Sequence, residues 1–176
     1  MLPPGNYELT LDELRACSLV TGNGVGSSTW NSAWRASLVE NLAVLVGQLH
    51  RIGIVDIFAD GSFVEDKDHP NDIDGYFVCD LRKFASGDLQ RELNLLDPHK
   101  VWTWDPRERR PFRGYPKKQL PMWHQYRVEL YPTTDSHPES ATRSGTNSSS
   151  LLLFVCRDGM ESQGESSRSE DRHDSQ

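Results

Sequence analysis

The chain has 176 residues, 36% of them apolar and 26% charged, with a net charge of −7. That length suits one domain with a real core, and the low apolar share points to a part of the chain that stays outside it. The charge argues against general duplex DNA binding, no apolar run approaches membrane-spanning length, and Cys17, Cys79 and Cys156 form no disulfide framework.

Taken in order, the first signal is Thr10 with Glu13 three residues on, a capping box that predicts a short helix. GNGVGSS, residues 22–28, reads as a loop, and not a Walker A loop, because no Lys follows its last Gly. Trp30, Trp34, Leu38, Leu42, Leu45, Leu49 and Ile52 recur at spacings of four and three. They predict an amphipathic helix of about six turns that ends at Gly53 and is capped by Ser28 or Thr29, with the tryptophans in the core. IVDIFAD after Gly53 and DIDGYFVCD from Asp72 read as strands. SGDLQRELNLL predicts a helix with Leu89, Leu93 and Leu96 on one face and Pro98 beyond its end. A stretch rich in proline, tryptophan and base follows, and then YRVELYP, a third strand alternating Tyr126, Val128 and Leu130 against Arg127, Glu129 and Tyr131.

After Pro132 the composition shifts: eleven of the 41 residues from Ser136 on are serine, and only LLLFVC breaks the polarity. The expected organisation is a domain over 1–133, a serine-rich linker with a candidate edge strand over 134–157, and a disordered tail over 158–176. The expected fold class is α/β, a small mixed sheet with helices packed mainly on one face. MLPPGNYELT is no signal peptide, and the expected setting is the cytoplasm.

The chemistry concentrates in GSFVEDKDHPNDIDGYF, residues 61–77. As a calcium loop from Asp66 it fails, because Asn71 stands where the turn glycine belongs and Phe77 where the bidentate glutamate belongs. As a phosphoryl-transfer site its parts are in a sensible order. A strand runs into Gly61-Ser62, where backbone can approach a phosphate, and about ten residues later a strand opens with Asp72 and Asp74 on one face. Two such carboxylates repel unless they share a cation, and Mg²⁺ takes oxygen ligands together with substrate phosphates. Glu129 is the acid inside a later apolar strand and the candidate third ligand. Between Lys100 and Lys118, seven Lys or Arg stand against Asp105 and Glu108, with Trp102, Trp104 and Tyr115 interleaved. Arg109, Arg110 and Arg113 are therefore candidate contacts for a phosphate or an RNA acceptor. His50, His69, His124 and His137 have no ligand spacing and read as ordinary histidines.

Gly61-Ser62, then Asp72-x-Asp74, then a single acid on a later strand resembles the nucleotidyltransferase superfamily that includes DNA polymerase β and kanamycin nucleotidyltransferase. The phrases LPPGNYELTLDEL, GSFVEDKDHPNDIDGYF and YRVELYP resemble, more narrowly, a group of small bacterial nucleotidyltransferase-like proteins, over roughly residues 2–133. The resemblance implies that Gly61 and Ser62 hold the triphosphate of an NTP. It implies that Asp72 and Asp74 bind two Mg²⁺ ions, and that Glu129 completes the second metal site or serves as base on the acceptor hydroxyl. A nucleoside monophosphate would pass to a protein, RNA or small-molecule acceptor, in the setting of toxin–antitoxin or phage-defence pairs. The alternative it leaves is an inactive module that keeps the fold and binds a partner.

Overall fold

The computed structural model describes residues 6–22, 29–65, 67–134 and 152–156. In chain order the elements are β1 (Asn6–Thr10), α1 (Leu11–Ala16), α2 (Ser18–Thr21), α3 (Ser32–Arg51), β2 (Ile57–Asp60), β3 (Ile73–Val78), α4 (Leu81–Ala85), α5 (Asp88–Leu96), α6 (Pro121–Tyr126), β4 (Val128–Thr133) and β5 (Leu152–Cys156). Single 3-10 turns cover Gly61–Phe63 and Pro106–Glu108. The strands lie in the order β1-β5-β2-β3-β4. β1 is parallel to β5 and β3 to β4, while β2 is antiparallel to both its neighbours. The fold is a small α/β domain with a mixed sheet, as the sequence predicts.

The core forms where α3 lies on the sheet. Leu38, Leu42, Leu45 and Leu49 follow the helical period and are fully buried. They share one cluster with Ile57 and Ala59 of β2, Ile73 and Phe77 of β3, and Val128 and Leu130 of β4. Because side chains alternate along a strand, the residues between these point to the other face of the sheet. That face carries Phe58, Asp60, Asp74, Tyr76, Glu129 and Tyr131.

Several expectations need correction. The α3 cap is Asn31, whose side chain accepts from the Trp34 N–H at 2.9 Å. Thr29 instead donates its hydroxyl to Asp68, and Ser28 lies outside the described residues. The tryptophans lie at the margin of the core, where Trp34 packs partly buried against the main cluster, and they also brace a loop. Trp34 donates to the Pro70 carbonyl at 2.6 Å and stacks on His69, and Trp30 lies 4.1 Å from the Arg35 guanidinium. The third strand begins at Val128, because Tyr126 closes α6 and Arg127 adopts the left-handed conformation at φ 55°. β1, α2, α4 and α6 are additional elements, and β2 holds only the last four residues of IVDIFAD. The capping box at Thr10 and Glu13 is present, and α5 buries Leu89 and Leu93, with Leu96 half-buried.

LLLFVC supplies β5, which has neighbours on both sides and is therefore an inner strand rather than an edge. The rest of the serine-rich linker, the expected disordered tail and most of the GNGVGSS loop lie outside the described residues. Among the described residues, no helix is long and apolar enough to cross a membrane.

The segment between the Gly61 turn and β3 is fastened from beneath. Arg35 of α3 is fully buried and donates to four carbonyls, those of Leu19, Phe63, Glu65 and Lys67, at 2.6–3.3 Å. Its planar fork suits this multiple contact, and the Trp30 and Phe63 rings lie beside its charge.

Candidate functional site

The register of three strands builds the site. Asp60 of β2 lies opposite Asp74 of β3, and Asp74 lies opposite Glu129 of β4. The three carboxylates form one row on the face turned away from α3. Asp72, just before β3, adds a fourth at its mouth. Gly61 follows Asp60 directly at φ 71°, where a side chain is strained, and an added Cβ would meet the Asp74 carboxylate oxygen at 3.1 Å. Ser62 is half-buried in the same turn. Gly61, Asp72, Asp74 and Glu129, singled out from the sequence, thus meet at one end of the sheet.

Charge is concentrated there. Burial, then the Asp72, Asp60 and Glu129 carboxylates, push the Asp74 carboxyl up to about 7. Burial also raises Asp60. Asp72 is held by Trp123, whose indole N–H donates to Oδ2 at 2.6 Å. The fully buried Trp123 ring is faced by the Arg127 guanidinium at 3.8 Å, which also lies over Phe112 at 4.2 Å.

Glu129 is in a different state. It is 5% exposed, and its Oε1 accepts from the Leu120 N–H at 3.0 Å. Its Oε2 accepts the Tyr131 hydroxyl and lies 3.6 Å from Arg109 Nη2. Arg109 also donates to the Tyr131 hydroxyl at 2.6 Å and to the Lys118 carbonyl at 3.0 Å. Burial and the Glu129 carboxylate push the Tyr131 phenol upward, so it stays protonated as a donor.

The basic stretch does not form one patch. Arg109 lies beside Glu129 and lines the cleft on this face. Arg110 pairs through its backbone with Gln119 and lines a separate, polar cleft of about 580 Å³ with His99, Lys100 and His124. Arg113 is exposed in a turn of the loop that joins Arg110 to Gln119.

Asp60 is the acid that sequence reasoning missed. Its signal was its place as the last residue of a strand immediately before Gly61. Two antiparallel strands joined by residues 61–72 bring the end of the first beside the start of the second.

The donor set matches a hard divalent cation in kind, since every candidate ligand is a carboxylate. In arrangement it matches in part. Asp72 and Asp74 fit, and the burial and carboxylate repulsion that raise Asp74 are what a cation would offset. Glu129 does not fit as placed, because both its oxygens are engaged by Leu120, Tyr131 and Arg109. Among the described residues, no three His, Cys, Asp or Glu side chains are grouped to hold an ion.

A family model described as a family of unknown function, DUF6932, matches residues 1–164, and the chain belongs to that family. The match runs past residue 133, where the resemblance is expected to end. No curated protein and no solved structure matches the chain.

Proposed function

We propose that this member of the DUF6932 family is a nucleotidyltransferase that binds an NTP at the mouths of β2 and β3 and transfers its nucleoside monophosphate to an acceptor. The observation that carries the reading is the row Asp60, Asp74 and Glu129, with Asp72 at its edge and the Gly61 turn beside it. Like charges facing one another across strands cost stability, so folding alone disfavours the row. The resemblance to nucleotidyltransferases supplies a use for it. Gly61 and Ser62 would lie along the triphosphate, and Asp72 and Asp74 would hold Mg²⁺. When bound, Mg²⁺ supplies charge neutralisation at the phosphate oxygens.

The chain's own residues supply position. Trp123 holds Asp72, Arg35 holds the segment behind the Gly61 turn, and Glu129 orients Arg109 and Tyr131 in the wall of the cleft beside the row. The acceptor hydroxyl gives up its proton to solvent and attacks the α-phosphorus, a new P–O bond forms, the α–β bridging bond breaks, and pyrophosphate leaves with the displaced electron pair.

The engagement of Glu129 favours a second reading, a module that keeps nucleotide binding without transfer. One experiment separates the two. Each of the four NTPs, labelled at the α-phosphate, is incubated with the protein, Mg²⁺ and host lysate. The enzyme reading expects label on a protein, RNA or small molecule, lost in Asp72→Asn and in Asp74→Asn. Nucleotide binding without label supports the binding module, and neither binding nor label overturns both. The same assay covers the toxin–antitoxin or phage-defence setting, in which the acceptor is a partner protein or an RNA end.

A further inference from the structure

A cleft of about 680 Å³ opens on the face that carries the carboxylate row, and its lining includes Asp74, Tyr76, Phe84, Trp104, Arg109 and Tyr131. That volume suits a small organic ligand. Tyr76 lies two residues along β3 from Asp74, hence on the same face and about 7 Å further along the strand. Its ring is fixed by stacking on Phe58, with centroids 4.8 Å apart and planes at 15°. Tyr76 is 7% exposed, and its hydroxyl has no hydrogen-bond partner among the described residues.

Apart from the Asp60 and Asp74 carboxylates, which also line the cleft, the other polar groups nearby are committed. Tyr131 is engaged by Glu129 and Arg109, and the Trp104 indole donates to the Leu130 carbonyl at 2.8 Å. A phenylalanine at position 76 would stack on Phe58 equally well without burying an unmatched hydroxyl. The hydroxyl is shielded from solvent in this structure, and a partner entering the cleft would meet it after a shift of the surrounding side chains. A phenol is uncharged at neutral pH, so this group can both donate and accept. Beside it, Phe84 and Trp104 meet edge to face at 5.6 Å and give the cleft an aromatic wall. A planar ring with a hydrogen-bonding edge fits both features, and the strand spacing between Tyr76 and Asp74 leaves room for a sugar between that ring and a phosphate.

We propose that the cleft is a nucleobase subsite in which the Tyr76 hydroxyl hydrogen-bonds the edge of the base, making Tyr76 the residue that sets base preference. This rests on the nucleotidyltransferase reading, with the phosphates at the Gly61 turn. A site built around one such bond discriminates against rings that lack the matching group.

The test is calorimetric titration of the full chain and of Tyr76→Phe. The probes are the four free nucleosides, purine riboside, which lacks exocyclic base groups, and inorganic tripolyphosphate with Mg²⁺. Wild type is expected to prefer one nucleoside. Tyr76→Phe should weaken that nucleoside about tenfold, equivalent to about 1.4 kcal/mol. It should weaken purine riboside less, leave tripolyphosphate unchanged and melt no lower than wild type. Equal nucleoside affinities in the two proteins overturn the proposal. Tripolyphosphate binding without any nucleoside binding overturns the base subsite and spares the phosphate site. Failure of tripolyphosphate and of every nucleoside overturns both readings.

Discussion

Asp74 is an acid held among acids. Its folded carboxyl titrates at about 7 against an ordinary value of 3.8, so between those pH values the folded chain binds a proton that the unfolded chain does not. Stability is therefore lost as pH rises from about 4 to 7, and the full penalty is in place above 7. Asp74→Asn removes the penalty. The variant should melt close to wild type at pH 4.5 and about 4–8 °C above it at pH 8, the equivalent of a few kcal/mol in a chain of this size. Thermal melts across that pH range check it, and a constant difference at all pH values would place the repulsion elsewhere. Millimolar Mg²⁺ at pH 8 should narrow the gap by stabilising wild type alone. Glu129, although buried in the same row, is balanced by Arg109, Tyr131 and the Leu120 N–H. Two carboxylates on neighbouring strands thus have opposite electrostatic settings, and only Asp74 is left without a matching charge or donor among the contacts described above.

At the scale of elements, β3 is the strand on which the site depends, and Gly75 is its tightest point. An added Cβ there would lie 2.3 Å from the Phe58 carbonyl oxygen and 2.9 Å from the Leu130 side chain. The first is backbone and cannot rotate away. Gly75→Ala should force β2 and β3 apart and cost roughly 3 kcal/mol or more, read from urea unfolding. A loss below 1 kcal/mol would mean that the strands pair more loosely than the register implies. Hydrophobic period made α3, α5 and the inner parts of β2, β3 and β4 legible in the sequence. α6 was hidden because PMWHQY is shorter than two turns and carries no repeat, so only Pro121 at its first position marks it. The site was legible to the extent that spacing along one strand decides it, as for Asp72 and Asp74. Asp60, Tyr76 and Trp123 act through cross-strand register or from a distant helix, and no local pattern encodes those pairings. The split of Arg109 from Arg110 follows from extended backbone, which sends successive side chains to opposite sides.

For the whole molecule, the informative strand is β5. It joins β1 on one side and β2 on the other, with Tyr7 opposite Leu153 and Phe58 opposite Phe154. Removing everything after residue 134 would strip β1 of its partner strand and expose the edge of β2. Such a chain should aggregate or lose several kcal/mol of stability, whereas a chain ending at Cys156 should melt within about 3 °C of the full length. Size-exclusion chromatography and thermal melts compare the three. Equal behaviour of the shortest chain and the full length would remove β5 from the stable sheet. Residues 157–176 hold six acids and three arginines with little apolar surface, which is why their removal is expected to cost little.

The position of β5 also sets an order of events on the ribosome. β1 is made well before its partner strand, which follows about 146 residues later in the pairing of Asn6 with Leu152. β2, β3 and β4 can pair as soon as Thr133 has emerged, but β1 stays unpaired and the β2 edge stays open until Cys156 follows. Pairings between such distant segments form slowly, and unpaired edges invite contact with other nascent chains. A pause in translation between residues 134 and 152 would therefore hold this protein in its most adhesive state, and chaperone capture should peak in that window.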